Sequence, residues 1–363
     1  EWFYKGLELL VIACPCALVI STPVAIVTAI GSAAKIGVLI KGGNHLEALG
    51  TLSALAFDKT GTLTEGRPKV DTIKSIDSDE ETLLNIAISL ESYSTHPISN
   101  AIVDYATQFN AKASNITNFK NIVGQGIKGK INESDVYAGN LKLITSINKQ
   151  IENYKDDINT YEQEGYTVII VASSDIIHGL ITVADPLRSN INKTLQQING
   201  THIKNTVMLT GDNKGTAYKI AQLVGIKEVY AELMPGDKLS AIKGLQNKGY
   251  RVGMIGDGIN DAPALAQSDV GIAMGGIGSD TAMETADVVL MSDDINQLTR
   301  TISISKKTKN IIKQNIYFSI LIKLIAFILV FPGLLTLWLA VLSDTGAAIL
   351  VILNSLRLLK IRT

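Results

Sequence analysis

The sequence predicts transmembrane α-helices joined to a cytosolic α/β region, in which a doubly wound parallel sheet carries an inserted α+β domain. Two observations predict the membrane helices: residues 9–34 contain no charged residue, and residues 314–355 contain only Lys323 and Asp344. Uncharged apolar runs of about 18 or more residues are typical of membrane spans. A third observation predicts the sheet, because three short apolar runs between the spans end in Asp. Each is followed by a glycine-containing turn and an expected helix.

The C-terminal apolar run is expected to form two helices, about 314–331 and 335–357, because Pro332 and Gly333 are a strong turn signal. Together with the first run this predicts three crossings. Cationic residues follow the first crossing, precede the second and follow the third, and they are Lys35, Lys41, Lys306, Lys307, Lys309, Lys313, Arg357, Lys360 and Arg362. The positive-inside rule therefore places the large loop and the C-terminus in the cytosol. We expect an integral membrane protein of the plasma membrane.

Composition excludes several other classes of protein. A net charge of −1 provides no basic field for nucleic acid. Cys14 and Cys16 are the two cysteines, which excludes a disulfide framework. The first apolar run is too long for a signal peptide, and Glu1 is not an initiator methionine, so we expect a piece of a longer protein.

Residues 57–66 read FDKTGTLTEG and place Asp58 at the end of the first apolar run. A carboxylate at a strand end can attack a phosphoryl group and form an acyl phosphate. Phosphoryl transfer needs a metal ion and donors around the moving charge. Thr60 and Gly61 offer backbone groups for this purpose. The motif therefore predicts a phosphoryl-accepting aspartate.

Two further motifs supply phosphate and metal ligands. Thr210, Gly211 and Asp212 form TGD, which offers a hydroxyl group and backbone N–H groups to phosphate oxygens. The stretch GDGINDAPAL places Asp257 and Asp261 four residues apart at a strand-to-helix turn. Carboxylates with a phosphate oxygen and waters make an octahedral Mg²⁺ site. Lys238, after a Pro-Gly pair, is a candidate phosphate counter-charge.

DKTGT, TGD and GDGxNDAPAL together resemble the P-type ATPases, whose catalytic half is similar to haloacid dehalogenase enzymes. The Cys-Pro-Cys motif of the first run resembles that of the heavy-metal-transporting branch of this family. The resemblance implies that Asp58 is phosphorylated and that Thr60 and Asp257 hold Mg²⁺ with it. It also implies a phosphate site, lined by Thr210, Gly211, Asp212, Lys238, Asn260 and Asp261.

The same resemblance implies that the insert binds ATP. Its matching residues are Glu91 and His96 of ESYSTHP, Gly124 and Gly126 of GQG, and Asn140 of AGNLKL. Thr95 departs from copper-type members, which often have Glu before the His. A Walker A motif is absent from the sequence, which argues against a P-loop mechanism.

The resemblance also divides the chain into expected domains. These are a first transmembrane helix with its cytosolic extension at 1–49, a phosphorylation domain at 50–66 and 183–305, a nucleotide-binding domain at 67–182, and two transmembrane helices at 306–363. The family's actuator domain and upstream helices are missing, so they are expected partners from the same protein, beside the lipid bilayer.

Cys14 and Cys16 flank Pro15, which breaks a helix and frees carbonyl groups. Thiolates are soft ligands for Cu⁺, Zn²⁺, Cd²⁺ or Pb²⁺. Lys323 and Asp344 lie at matching distances from the hairpin of Pro332 and Gly333, near the expected depth of the cysteines. A lone charge in hydrocarbon costs at least about 2.5–3.5 kcal/mol, so these two charges are expected to pair.

Two thiolates and the Asp344 carboxylate suit a divalent ion, with Lys323 as an internal counter-ion. The segment SDTGAAILVILNSLRLLK also resembles the zinc/cadmium/lead class, and copper-type motifs are absent from the last two helices. We therefore expect ATP-driven export of Zn²⁺, Cd²⁺ or Pb²⁺. The alternatives are a copper pump, a membrane-tethered phosphatase of haloacid dehalogenase type, and a non-enzymatic metal sensor.

Overall fold

A computed structural model describes residues 2–257, 261–276 and 280–360. The α-helices are α1 (Trp2–Ala13), α2 (Cys16–Lys35), α3 (Gly43–Leu49), α4 (Glu80–Glu91), α5 (Pro97–Gln108), α6 (Leu141–Thr145), α7 (Lys155–Gln163), α8 (Ile191–Asn199), α9 (Lys214–Val224), α10 (Pro235–Asn247), α11 (Ala262–Gln267), α12 (Asp280–Thr285), α13 (Asn296–Val330) and α14 (Leu337–Leu356). Short helical turns cover Lys59–Leu63, Lys149–Tyr154 and Arg357–Lys360.

The strands form two sheets. They are β1 (Val38–Ile40), β2 (Ala54–Asp58), β3 (Lys69–Ser75), β4 (Thr117–Ile122), β5 (Gly126–Ile131), β6 (Ser134–Gly139), β7 (Thr167–Ser173), β8 (Ile177–Ala184), β9 (Asn205–Leu209), β10 (Glu228–Tyr230), β11 (Val252–Gly256), β12 (Val270–Met274) and β13 (Val288–Leu290). The seven-stranded sheet has the order β1-β13-β12-β11-β2-β9-β10, and the six-stranded sheet has the order β3-β8-β7-β6-β5-β4.

The chain forms two compact units. The first comprises Glu1–Ala56, Gln196–Thr206 and Pro235–Thr363, and the second comprises Phe57–Leu195 and Val207–Met234. These units differ from the four domains expected from the sequence, because the second combines the insert with the start of the Asp58 loop and the TGD segment. The expected domain boundaries therefore stay a prediction.

Buried apolar strands define the seven-stranded sheet. Every residue of β2, β11, β12 and β13 is buried, which is typical of strands covered on both faces. β11, β12 and β13 pair in parallel, as do β9 and β10, whereas β1 pairs antiparallel with β13. β2, β9 and β11 are therefore the strands that the sequence predicts from the three apolar runs.

One local expectation is wrong: no α-helix follows β2. The chain makes a single irregular turn at Lys59–Leu63, where Gly61 has a φ of 69°, and it then enters β3. A positive φ interrupts a helix because only glycine adopts it at little steric cost. The helices expected after the other two runs are present as α9 and α11.

The six-stranded sheet is antiparallel throughout and lies within the second unit. α4 and α5 pack on it through apolar side chains, including Leu83, Leu90 and Ile102, which meet Val171 and Ile181 of β7 and β8. This insert is therefore an α+β layer structure, built from a continuous segment between β3 and β8.

Three helical stretches of the described residues are long and apolar enough to cross a membrane: Phe3–Lys35, Asn296–Val330 and Leu337–Lys360. The first is broken, because α1 ends at Ala13 and α2 begins at Cys16, as Pro15 predicts. α13 begins 18 residues before the expected start at 314, since no Pro or Gly interrupts it before Val330. The position at which charged residues stop indicates where the span enters the membrane. It does not indicate where the helix begins.

Candidate active and ion-binding sites

Asp58 is the last residue of β2 and is 5 % exposed. The turn that follows it is held by Arg188, whose guanidinium group donates to the carbonyls of Thr62 at 2.8 Å and Gly61 at 2.6 Å. The hydroxyl of Thr64 donates to Asp185 Oδ2 at 2.6 Å and accepts from the Gly61 amide at 3.2 Å. These contacts position the backbone directly after the carboxylate that the sequence predicts to be phosphorylated.

Asp185 and Arg188 were not predicted as site residues. The sequence feature that could have indicated them is the ADPLR segment. It places an Asp directly after an apolar strand, as in the three apolar runs that end in Asp. Asp185 also accepts the Arg67 amide at 3.2 Å. The two residues contact the turn and Thr64 directly after it from 121 to 127 positions away in the chain, a separation that spacing alone does not reveal.

The TGD segment lies beside this turn in the same unit. Lys59 Nζ is 2.6 Å from Asp212 Oδ2, and the Asp212 amide donates to the hydroxyl of Thr210 at 3.1 Å. Thr210 is 2 % exposed, so this hydrogen bond is shielded from solvent. The structure therefore links the Asp58 turn to Thr210 and Asp212 through Lys59, whose pairing role the sequence did not indicate.

The other predicted phosphate ligands lie in the first unit. Lys238 Nζ forms a 2.7 Å ion pair with Asp261 Oδ1, and the two residues are 7 % and 1 % exposed. A Cβ atom at Gly256 would approach Asp261 Oδ2 to 2.7 Å, so a side chain there would displace the Asp261 carboxylate. Asp257 directly follows β11 and is half-buried. The prediction for Asn260 lies outside the described residues.

All five residues predicted to contact nucleotide line one cavity of about 300 Å³ in the insert, and they are Glu91, His96, Gly124, Gly126 and Asn140. Their local structure explains the residue types. Asn140 Nδ2 donates to the Gly124 carbonyl at 3.0 Å, and His96 Nδ1 accepts from the Ile98 amide at 3.2 Å. At Gly126 the φ is 146° and a Cβ would lie 2.3 Å from the Ala138 carbonyl oxygen, which excludes a side chain.

Glu91 is the buried carboxyl group of this cavity, at 5 % exposed. Burial raises its pKa to about 7, and a hydrogen bond from Ser99 opposes part of this rise. The Ser99 hydroxyl oxygen lies 2.8 Å from the Ser94 hydroxyl oxygen, and both serines line the cavity. The cavity therefore contains a carboxyl group that changes charge near neutral pH. The sequence did not predict the two serines.

Replacing Glu91 with Gln is expected to stabilise the insert at alkaline pH and to have little effect in acid. A raised folded-state pKa means that the charged form is disfavoured by folding, so the parent protein loses stability as pH rises from about 4.5 to about 7. The difference in the free energy of unfolding should reach on the order of 3 kcal/mol above that window. Thermal unfolding of both proteins at about pH 5 and about pH 8 measures this. Equal differences at the two pH values would contradict it.

The break in the first candidate span is linked to the charged pair of the last two. Lys323 Nζ donates to Asp344 Oδ1 at 3.0 Å, to the Ile12 carbonyl at 2.8 Å and to the Cys14 carbonyl. Cys14 Sγ is 2.9 Å from Cys16 Sγ, and the Cys16 thiol has the Asp344 carboxyl group as a side-chain neighbour. The predicted pairing of Lys323 with Asp344 is confirmed. The same ammonium group also donates hydrogen bonds to two backbone carbonyls that the helix break leaves without helical partners.

Over the described residues, no three or more His, Cys, Asp or Glu side chains are arranged to hold a metal ion. The Lys323 ammonium group lies 3.0 Å from Asp344 Oδ1. Ser319 and Ser343 line a small cavity of about 10 Å³ with this pair. In this arrangement the Lys323 ammonium group therefore neutralises the Asp344 carboxylate beside the cysteine pair.

Comparisons with known proteins agree with these features. Residues 52–269 match the haloacid dehalogenase-like hydrolase family. The chain is 50 % identical to a probable cadmium-transporting ATPase of Alkalihalophilus pseudofirmus, over 99 % of this chain and 51 % of that protein. It is also 50 % identical to a cadmium-transporting ATPase of Staphylococcus aureus, over 99 % of this chain and 50 % of that protein.

A solved structure also matches nearly the whole chain. The crystal structure of a zinc-transporting PIB-type ATPase in its E2.Pi state superposes with a TM-score of 0.87 at 41 % identity, covering 99 % of this chain and 58 % of that one. The chain thus spans about half the length of the curated relatives that it matches.

Proposed function

Because the chain belongs to the haloacid dehalogenase-like hydrolase family and is homologous to heavy-metal-transporting P-type ATPases, we propose that it is the catalytic and ion-binding part of a membrane pump for a divalent soft metal ion. The observation that carries this proposal is the pairing of Lys323 with Asp344 at the Cys14–Cys16 helix break. A soluble-type phosphatase would not need a carboxylate, two thiols and an ammonium group inside candidate membrane spans.

In the proposed reaction a carboxylate oxygen of Asp58 attacks the γ-phosphorus of ATP. The bond from that phosphorus to the bridging oxygen breaks, ADP leaves, and an acyl phosphate forms on Asp58. Water later hydrolyses the acyl phosphate and releases inorganic phosphate. Thr210 and the backbone groups after Asp58 would bind the phosphoryl oxygens, and Lys238 would offset their charge. Arg188 and Asp185 would hold the turn in place during both steps.

ATP would enter the cavity that contains Glu91, His96 and Asn140. Gly124 and Gly126 would let the base and ribose approach the backbone closely, because a side chain at Gly126 collides with Ala138. The buried Glu91 carboxyl group would recognise a polar edge of the base. This role for the cavity rests on its five matching residues and on its size of about 300 Å³.

The donors expected for Mg²⁺ fit that ion chemically. Asp58 and Asp257 supply carboxylate oxygens and Thr60 a carbonyl oxygen, and hard oxygen ligands are what Mg²⁺ prefers. Asp58 directly ends β2 and Asp257 directly follows β11, so each carboxylate stands at a strand end. When bound, Mg²⁺ would offset the negative charge of the transferred phosphoryl group.

The transported ion would bind to Cys14, Cys16 and Asp344 after Lys323 moves away from the carboxylate. When the ion leaves, the Lys323 ammonium group would return to Asp344 and oppose re-entry. Soft thiolates with one carboxylate suit Zn²⁺, Cd²⁺ or Pb²⁺. The part of the relatives that this chain does not span would supply the remaining elements of the pump, including those needed for dephosphorylation.

Hydrolysis of ATP by the intact protein in lipid is expected to be stimulated by Zn²⁺, Cd²⁺ or Pb²⁺ and not by Cu⁺. The physical reason is that the carboxylate provides the extra negative charge that a divalent ion needs. The measurement is phosphate release across this panel of metals under reducing conditions. Stimulation by Cu⁺ alone would favour a copper pump, and metal-independent hydrolysis of small phosphate esters would favour a tethered phosphatase.

A further inference from the structure

A basic cavity of about 450 Å³ lies at the ends of the last two candidate spans, away from both sites described above. Its lining includes three cations, Lys307 of α13 and Arg357 and Lys360 beyond α14, together with the amides Asn310 and Gln314. Among the described residues that line it there is no carboxylate. The cavity therefore offers concentrated positive charge and hydrogen-bond donors to an anion.

A chain of hydrogen bonds connects one wall of this cavity to the buried interior of the helix pair. Arg357 Nη1 donates to Asn354 Oδ1 at 2.8 Å, and Asn354 Nδ2 donates to Asn315 Oδ1 at 2.8 Å. Asn315 is 2 % exposed and donates in turn to the hydroxyl of Ser355 at 3.0 Å. This chain of bonds connects the exposed guanidinium group to buried groups between α13 and α14.

The surroundings of the cavity are those of a membrane surface. Leu353, Leu356 and Leu359 are 55 %, 41 % and 40 % exposed on the same end of α14 and on the turn that follows it. These side chains are suited to acyl chains, whereas Arg357 and Lys360 directly follow the apolar part of α14 and Lys307 precedes the apolar part of α13. A ligand that is anionic at one end and apolar at the other would match both features.

We propose that this cavity binds the phosphate of an anionic phospholipid headgroup at the cytosolic surface. Basic cavities between membrane helices bind such headgroups, because Lys and Arg side chains near the surface attract anionic lipid. The guanidinium group can bind phosphate oxygens in a bidentate manner, which a lysine cannot do. The inference depends on the membrane placement of α13 and α14 and does not depend on ion pumping.

The test is lipid retention by the intact protein, extracted from membranes that contain phosphatidylglycerol and phosphatidylcholine and measured by native mass spectrometry without metal or ATP. Lys307→Gln/Arg357→Gln/Lys360→Gln should lower retention of phosphatidylglycerol by about tenfold or more while leaving phosphatidylcholine unchanged. The matched control is Lys306→Gln/Lys309→Gln/Lys313→Gln, which removes three exposed lysines of α13 that do not line the cavity.

Equal losses in the two triple variants would overturn the proposal, since they would show a general effect of surface charge. Displacement of phosphatidylglycerol by added inorganic phosphate would also overturn it, because a soluble phosphate would then be the ligand. Arg357→Gln alone should give an intermediate loss, and it tests the site even if the triple variant inserts poorly. If metal-stimulated hydrolysis is absent but lipid retention follows this pattern, the pump proposal fails while this one stands.

Discussion

Replacing Asp58 with Asn is expected to abolish phosphoenzyme formation and to lower metal-stimulated ATP hydrolysis by at least about a thousandfold in the intact protein. The side-chain amide has nearly the shape of the carboxylate but is a poor nucleophile, so the acyl phosphate cannot form. Asp58 is 5 % exposed at the end of β2, and the turn after it is held by Arg188 and Thr64. The substitution should therefore leave this turn in place.

The measurement is incorporation of labelled phosphate from ATP, followed by hydroxylamine treatment, which cleaves an acyl phosphate. Asp175→Asn is the matched control, because Asp175 is an exposed aspartate of the same compact unit in the turn between β7 and β8. ATP binding to the Glu91 cavity should be retained in both variants, which separates lost chemistry from lost folding. Labelling that persists at the parent level in Asp58→Asn would refute the assignment of the nucleophile.

Replacing Asp344 with Asn is expected to abolish metal stimulation and to weaken binding of Zn²⁺ or Cd²⁺ by about a hundredfold or more. The carboxylate is the hard, negatively charged member of the proposed ligand set, and without it Cys14 and Cys16 provide two thiols. The substitution also removes the partner of Lys323. The pair is partly buried, and removing one partner leaves the other charge unpaired, which costs up to about 3–5 kcal/mol. A single variant therefore combines a loss of function with a loss of stability.

The double variant Asp344→Asn/Lys323→Met separates the two effects. It removes both charges, so the membrane region should regain most of its thermal stability while metal stimulation stays absent. Ser343→Ala is the matched control, because Ser343 lines the same small cavity and its hydroxyl donates to the Ala340 carbonyl at 2.9 Å. Metal titration and thermal unfolding of the three variants measure both quantities. Normal metal stimulation in the double variant would exclude Asp344 as a ligand.

Local chemistry in the sequence was sufficient for several features. The break between α1 and α2 follows from Pro15, which cannot donate a helical hydrogen bond, and Asp58 ends β2 because a buried apolar run stops there. The five residues expected at nucleotide do line one cavity. The start of α13 was not predicted, because a helix that leaves a membrane can continue through lysines without a local stop signal.

The amino-acid sequence by itself determined which chemical groups the protein has and where the chain breaks, since spacing, charge and proline act over a few residues. Only the tertiary structure decided their partners. Arg188 reaches the Gly61 carbonyl from 127 positions away, and Lys323 reaches the Cys14 carbonyl from 309 positions away. Such contacts depend on how strands and helices pack, because the cost of burying a charge is offset by whichever opposite group the fold places beside it.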